Sequence, residues 1–413
     1  MLGVVIELPI REIGGERLFI AWLRLVVGAA NPLGSRPNRE EFLMNRAERI
    51  ARVLRRMAAE RIDTLIALSN AKHHLARVNL AAHLMGYRAL GESALVLRAD
   101  GSERLIVTPA YDAERAALRR PELPLMASDD LAAALGEFLR QRAPGRIATT
   151  GLGAMPHDLA AQLLDIVGKD ALPFDEVVNA VTAPKTEEEI ANAKKAVAIA
   201  EAAHEHMLAV GRAGMRECDL AVEMNLYAKG LGANDNFLML SAGPHQLGVG
   251  ASSNRPLERG DVIIAESTPA YDGQFGQICR SAAVGPPSNV LAEKYALLVR
   301  AMTAGIEVIR PGVKVSDVAG AIDAVMTEAG YEKYNRPPHL NRRGHGMGTG
   351  SIAPGDIAID NHAILEEDMV FVVHPNQYLP ETGYLLCGEP VRVTATGYES
   401  LSKKWAELGT VKA

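Results

Sequence analysis

Arg342-Arg343-Gly344-His345-Gly346-Met347-Gly348 is the stretch on which the fold turns. A histidine flanked by glycines sits where backbone and ligand approach closely, because glycine carries no Cβ to hold them apart. C-terminal to it, Met369-Val370-Phe371-Val372-Val373-His374-Pro375-Asn376 is an apolar run that delivers a second imidazole at its end. Leu386-Cys387-Gly388-Glu389-Pro390-Val391-Arg392-Val393 reads as part of a final strand pair. N-terminal to it, Gly260-Asp261-Val262-Ile263-Ile264-Ala265-Glu266 reads as a strand with Val262, Ile264 and Glu266 on one face. A carboxylate ending such a strand is costly unless it is paired, coordinated or at a cleft. The chain turns at residues 270–273 and returns through Phe275-Gly276-Gln277-Ile278-Cys279-Arg280, where Gln277 and Cys279 share a face. Glu266, Gln277 and Cys279 thus form a candidate site wall, with His345 and His374 as candidate imidazoles; the plain alternative makes Cys279 a small core residue.

Further out, the pattern divides. Apolar runs at 64–68, 94–98, 105–108 and 146–149, with helical stretches at 38–60 and 129–141, predict a small α/β domain over 38–182. Ala183-Pro184-Lys185-Thr186 marks a boundary, and Thr186 with Glu189 forms a capping-box pattern ahead of an Ala-rich helix reaching about Val210. The second domain, 183–413, contains a weak repeat: Gly214, Asp219, Ala221 and Gly232 recur at an offset of 98 as Gly312, Asp317, Ala319 and Gly330. Two related helix-pair units on strands of their own imply a pseudo-symmetric layer with a cleft between the halves. The fold class expected is α/β (α+β) in two domains. Residues 1–37 read as an N-terminal extension or an over-called start; their apolar patch at 18–30 is interrupted by Arg24 and is too short to span a bilayer.

The chain has 413 residues, 48% hydrophobic and 23% charged, with a net charge of -6. Nothing is basic enough for a phosphate backbone, so nucleic acid is not expected as a partner; the shortness and charge of the patch at 18–30 argue against a membrane as well. Three cysteines show no disulfide framework and no paired metal spacing, which points to a reducing cytoplasm.

The order of hairpin, Gly-His-Gly-x-Gly, apolar strand ending in a polar residue, and final strand resembles the creatinase/prolidase (pita-bread) superfamily of prolidases, aminopeptidase P, methionine aminopeptidase and creatinase. Pro-Lys-Thr-x-x-Glu-Ile at 184–190 resembles their interdomain helix start. The resemblance implies a dinuclear metal site of two Asp, one His and two Glu. Carried over one at a time, those positions fall on Glu266, Gln277, His345, His374 and Gly388, so only the histidine is kept. Glu389 lies beside the vacancy, on the other strand face unless a bulge at Pro390 re-aims it. Two further family histidines fall on Ile352 and near Val249 or Gly250, and His245 is a candidate shifted substitute.

By analogy with creatinase, this pattern implies a metal-independent hydrolase of an amide, urea, amidine or lactam C–N bond in a small molecule, with no cofactor. His345 and His374 would be general acid and base, and Glu266 would orient an imidazole or bind a cationic group. Gln277, Cys279 and Glu389 would support them. Creatine is a poor substrate candidate, since creatinase's catalytic Glu positions correspond to Cys279 and His374 and its loop Arg to Asp356. The alternatives are one divalent ion (Zn, Mn or Fe) on Glu266, His345, His374 and Glu389, an Xaa-Pro dipeptidase, a Cys279 nucleophile, or a non-catalytic binding protein. His73, His74 and Arg77 occupy the place from which the N-terminal domain contributes specificity in creatinase-like dimers, so a homodimer is implied as well.

Overall fold

The computed structural model describes residues 39–72, 79–349 and 354–413; the expected extension 1–37, the candidates His73, His74 and Arg77, and Ile352 lie outside the described residues. In the N-terminal half β1 (Thr64–Ser69), β2 (Ser93–Arg98), β3 (Glu103–Val107), β4 (Leu125–Ala127), β5 (Ile147–Thr150) and β6 (Leu172–Pro173) form one mixed sheet in the order β4-β3-β2-β1-β5-β6. β1 and β2 are buried at every position because alternate residues feed separate cores. Leu65 and Leu95 go to one, Ile66 and Val96 to the other. That explains why the interiors of these strands, 65–68 and 94–97, are continuously apolar instead of alternating. The edge strands β4 and β6 were not read from the sequence; they are too short and only partly buried.

The helix Glu187–Val210 begins as expected: Thr186 Oγ1 accepts from Glu189 N at 3.3 Å, and Glu189 Oε2 accepts from Thr186 N at 2.9 Å. The repeat has a backbone cause. Gly214, Gly232, Gly312 and Gly330 all have φ between +83° and +98°, a conformation a side chain resists. The first of each pair sits in the turn before a helix (Glu217–Gly230 and Val315–Glu328), and the second follows that helix.

The remaining strands are β7 (Asp235–Gly243), β8 (Val262–Tyr271), β9 (Gln274–Phe275), β10 (Ile278–Val284), β11 (Gly344–Gly346), β12 (Val370–Val373), β13 (Gln377–Leu379), β14 (Gly383–Leu385), β15 (Glu389–Val393), β16 (Tyr398–Ser400) and β17 (Gly409–Val411). One sheet runs β17-β10-β8-β7 with β9 on β8, a second runs β11-β12-β15-β16, and β13 pairs with β14. The turn expected at 270–273 is narrower than that: β8 continues to Tyr271, and Asp272-Gly273 turns with φ of +45° and +84°, a two-residue hairpin loop. The two larger sheets meet where Cys279 N donates to Gly388 O at 3.3 Å and Gly388 N donates to Cys279 O at 3.0 Å. Among the described residues no helix is long and apolar enough to cross a membrane.

Candidate active site

The seam between the sheets gathers the candidates. Cys279 pairs directly with Glu266 across β10 and β8, and on its other side bridges Gly388. A Cβ added at Gly388 would lie 2.6 Å from His374 Cβ, 3.0 Å from Cys279 Cβ and 3.2 Å from its Sγ. His374 therefore sits against Gly388, and its ring centroid is 5.2 Å from that of His345 at an interplanar angle of 70°. Glu266, Cys279, Gly388, His374 and His345 thus follow one another across the seam. Gln277, just ahead of β10, is fully buried and donates from Nε2 to Cys279 Sγ at 3.5 Å, while its Oε1 has no partner.

Burial dominates the electrostatics. It lowers His345 to about 4, against the raising effect of the Gly346 carbonyl, and it lowers His374 well below the usual range with His345 adding to the effect. Both rings are neutral near pH 7. His345 Nδ1 lies 2.9 Å from Gly346 O, which assigns its proton to Nδ1 and leaves the Nε2 lone pair free. His374 Nδ1 has no partner. Burial raises Glu266 to about 6, against Arg342. Burial and then Glu266 raise the Cys279 thiol well above its ordinary value, so the thiolate required of a nucleophile is disfavoured.

Other candidates fall elsewhere. The structure turns Glu389 away from the seam: fully buried, it accepts from Arg280 Nη2 at 2.7 Å, and Arg280 Nη1 donates to Gly388 O at 2.6 Å. Pro390 brings no bulge; Glu389 stays in register opposite Val373. A carboxylate so committed cannot serve as a fourth ligand. His245 is exposed, holds Pro380 O at 3.0 Å through Nε2 and packs edge-on to Tyr378.

Two residues of the site escaped the sequence reading. Asn376 takes the Cys387 N–H at 3.1 Å and reaches Cys279 Sγ at 4.0 Å. Tyr384, the cross-strand partner of Tyr378, is raised to about 12 by burial and then by Cys279 and Glu266, so it is a neutral hydroxyl within their electrostatic reach. The cue for Tyr384 was the hairpin β13–β14, hidden because its strands are three residues each.

Comparisons with known proteins place this geometry. The model of metallopeptidase family M24 matches residues 191–396, the segment that carries every one of these groups. The chain belongs to the creatinase/prolidase superfamily. A probable dipeptidase PepE of Mycobacterium tuberculosis is 28% identical over 333 residues, 75% of this chain and 87% of that protein. An Xaa-Pro dipeptidase of Pyrococcus furiosus is 27% identical over 243 residues, 58% and 69% respectively. The crystal structure of dipeptidase PepE from Mycobacterium ulcerans superposes with a TM-score of 0.74 at 24% identity, over 90% of this chain and 99% of that one, a likeness of fold. With several further bacterial relatives the match spans 62% to 67% of their length.

Two expectations are corrected by this membership in the creatinase/prolidase superfamily. Metal-independent hydrolysis of a non-peptide C–N bond gives way to peptidase chemistry, because the matched family is one of metallopeptidases and the named relatives are dipeptidases. The expectation of no cofactor falls on the same finding. The local donor set nevertheless does not fit the superfamily's metal pair. Gln277 is uncharged, Gly388 has no side chain and no room for one, and Glu389 is held by Arg280. Among the described residues no group of three or more His, Cys, Asp or Glu is gathered to hold an ion. Bridging carboxylates are what two divalent ions require; among the described residues Asp356, which forms a β-bridge with His345, is held by Arg342, and Glu266 is left as the seam's carboxylate.

Proposed function

We propose that this protein is a hydrolase of short peptides, with dipeptides of the Xaa-Pro type as the first substrates to try. The observation that carries the reading is the seam itself: Glu266 paired with Cys279 on one side and the edge-on pair His345 and His374 on the other, all within the segment that the metallopeptidase family model matches. Relatives named dipeptidase support the substrate class. Each side chain has a role in it. His345 Nε2 takes the proton of the attacking water. His374, neutral, donates to or accepts from the scissile amide. Glu266, the lone carboxylate of the wall, receives the peptide ammonium, and the Tyr384 hydroxyl hydrogen-bonds a peptide carbonyl. The protein would act as a cytoplasmic homodimer; three free thiols support the compartment, and the family resemblance supports the dimer.

A second form of the reading has one divalent ion held by the imidazoles of His345 and His374, favoured by the free Nε2 of His345 and the nearness of the two rings. Dipeptides ending in proline, incubated with protein supplied in turn with Mn, Zn and Fe(II), test the proposal through the appearance of free amino acids. No cleavage across that panel would sink it. Cleavage that survives exhaustive chelation would sink the one-ion form.

A further inference from the structure

Behind the seam lies a cavity of about 170 Å³. It opens on the reverse face of β10, where Ile278 and Arg280 point away from the side occupied by Cys279, because neighbouring strand residues face opposite ways. One wall is a single face of the helix Glu187–Val210, formed by Glu201, His204, Glu205 and Leu208 at helical spacing. The other wall is the segment leading into β17, with Lys404, Trp405, Glu407 and Leu408. The volume is below the roughly 300 Å³ at which pockets begin to take drug-sized molecules, so the guest it fits is small.

The lining divides by chemistry. Toward the interior, Leu208, Ile278 and Leu408 are apolar. Arg280 is 4% exposed and fully engaged, donating to Glu389 and to the carbonyls of Cys279 and Gly388. His204, 7% exposed, lines the cavity, and its Nδ1 has no hydrogen-bond partner. Burial, with Arg280 and Lys404 adding to it, lowers His204 to about 3, so the imidazole is neutral. At the mouth lie three carboxylates and one cation: Glu205 holds the Lys404 ammonium at 2.9 Å, Glu201 accepts the backbone N–H groups of Lys403 and Lys404 at 2.9 and 2.8 Å, and Glu407 lies exposed beside them, which leaves the rim acidic. Trp405 is 36% exposed beside them. An apolar interior, an acidic rim and an indole face suit an alkyl chain ending in an ammonium group, which an anion of the same shape would not match.

We propose that this cavity is a binding site for a small alkylammonium molecule, its chain between Leu208, Ile278 and Leu408 and its ammonium among the rim carboxylates and Trp405. The site is separate from the seam and does not depend on the peptide reading. Trp22 and Trp405 are the chain's two tryptophans, so a Trp22→Phe background leaves Trp405 as the sole indole reporter.

Titration of the full chain with n-butylamine is expected to change Trp405 fluorescence saturably, and butyrate is expected to leave it unchanged. Glu205→Gln with Glu407→Gln, both at exposed positions, is expected to weaken butylamine about tenfold, or about 1.4 kcal/mol. Leu208→Phe, which fills the interior, is expected to abolish the response while circular dichroism stays unchanged. Equal responses to butylamine and butyrate, no saturable response to butylamine, or an unchanged affinity in the double Gln variant would each overturn the assignment.

Discussion

Replacing Gly388 by alanine adds one methyl group at the point where the two sheets join. Gly388 is absent from the positive-φ positions, so alanine meets no backbone strain and the substitution tests packing alone. The new Cβ would lie 2.6 Å from His374 Cβ and 3.0 Å from Cys279 Cβ. Neither of these is the far end of a flexible side chain, so backbone must move. Overpacking of this kind costs about 1–3 kcal/mol, and with about 2–4 °C lost per kcal/mol the melting temperature should fall by roughly 2–12 °C. Gly388→Glu, which puts back the superfamily's carboxylate, adds an unpaired buried charge and should be less stable still, with no gain in metal retention. Differential scanning fluorimetry of the three proteins, with and without Mn, measures both effects. A Gly388→Ala protein that melts with the wild type, or a Gly388→Glu protein stabilised by Mn, would refute the view that the seam has been rebuilt around a glycine.

Other expectations follow from the same geometry. Arg280→Met strands the buried Glu389 carboxylate and should cost about 3–5 kcal/mol, whereas Arg280→Met with Glu389→Leu should recover most of it; thermal melts of both variants decide the point, and equal loss in both contradicts it. His204 is neutral in the fold with its pKa near 3 and near 6.5 when unfolded, so the unfolded chain binds the extra proton below pH 6.5 and stability falls as pH drops. Between pH 7 and 5 that group alone accounts for about 2 kcal/mol, and a His204→Leu variant should lose correspondingly less stability over the same interval. Cys279→Ala should leave dipeptide turnover within a few-fold of wild type, since its thiolate is disfavoured; a loss of about a thousandfold or more would restore the nucleophile reading.

Much of this architecture was legible in the sequence, for reasons that the structure makes physical. The repeat of Gly214 and Gly232 at Gly312 and Gly330 survives because all four hold left-handed backbone. Thr186 and Glu189 announce a helix start because they satisfy the same two backbone donors that they do here. Register arithmetic along β8 and β10 put Glu266 and Cys279 together, and they are direct cross-strand partners. The direction of Glu389 was legible only as strand alternation; what fixes it is Arg280, more than a hundred residues earlier in sequence, a partner that no local pattern reveals. Tyr384 was missed because a three-residue strand leaves no periodicity to read, and Asn376 because it lies in the loop between β12 and β13. The chemistry was misread for another reason. Departures at the ligand positions were taken to move the substrate away from peptides, whereas the matched family and the named relatives point toward them.

Release of proline from an Xaa-Pro dipeptide by the purified protein, compared with its His345→Ala variant under the same metal supply, tests the central claim most directly. The account expects turnover by the wild type and a loss of about a hundredfold or more in kcat/KM when the imidazole is removed, the scale of a general acid–base contribution. Unchanged turnover in His345→Ala, or no proline from either protein with any of Mn, Zn or Fe(II), would contradict it.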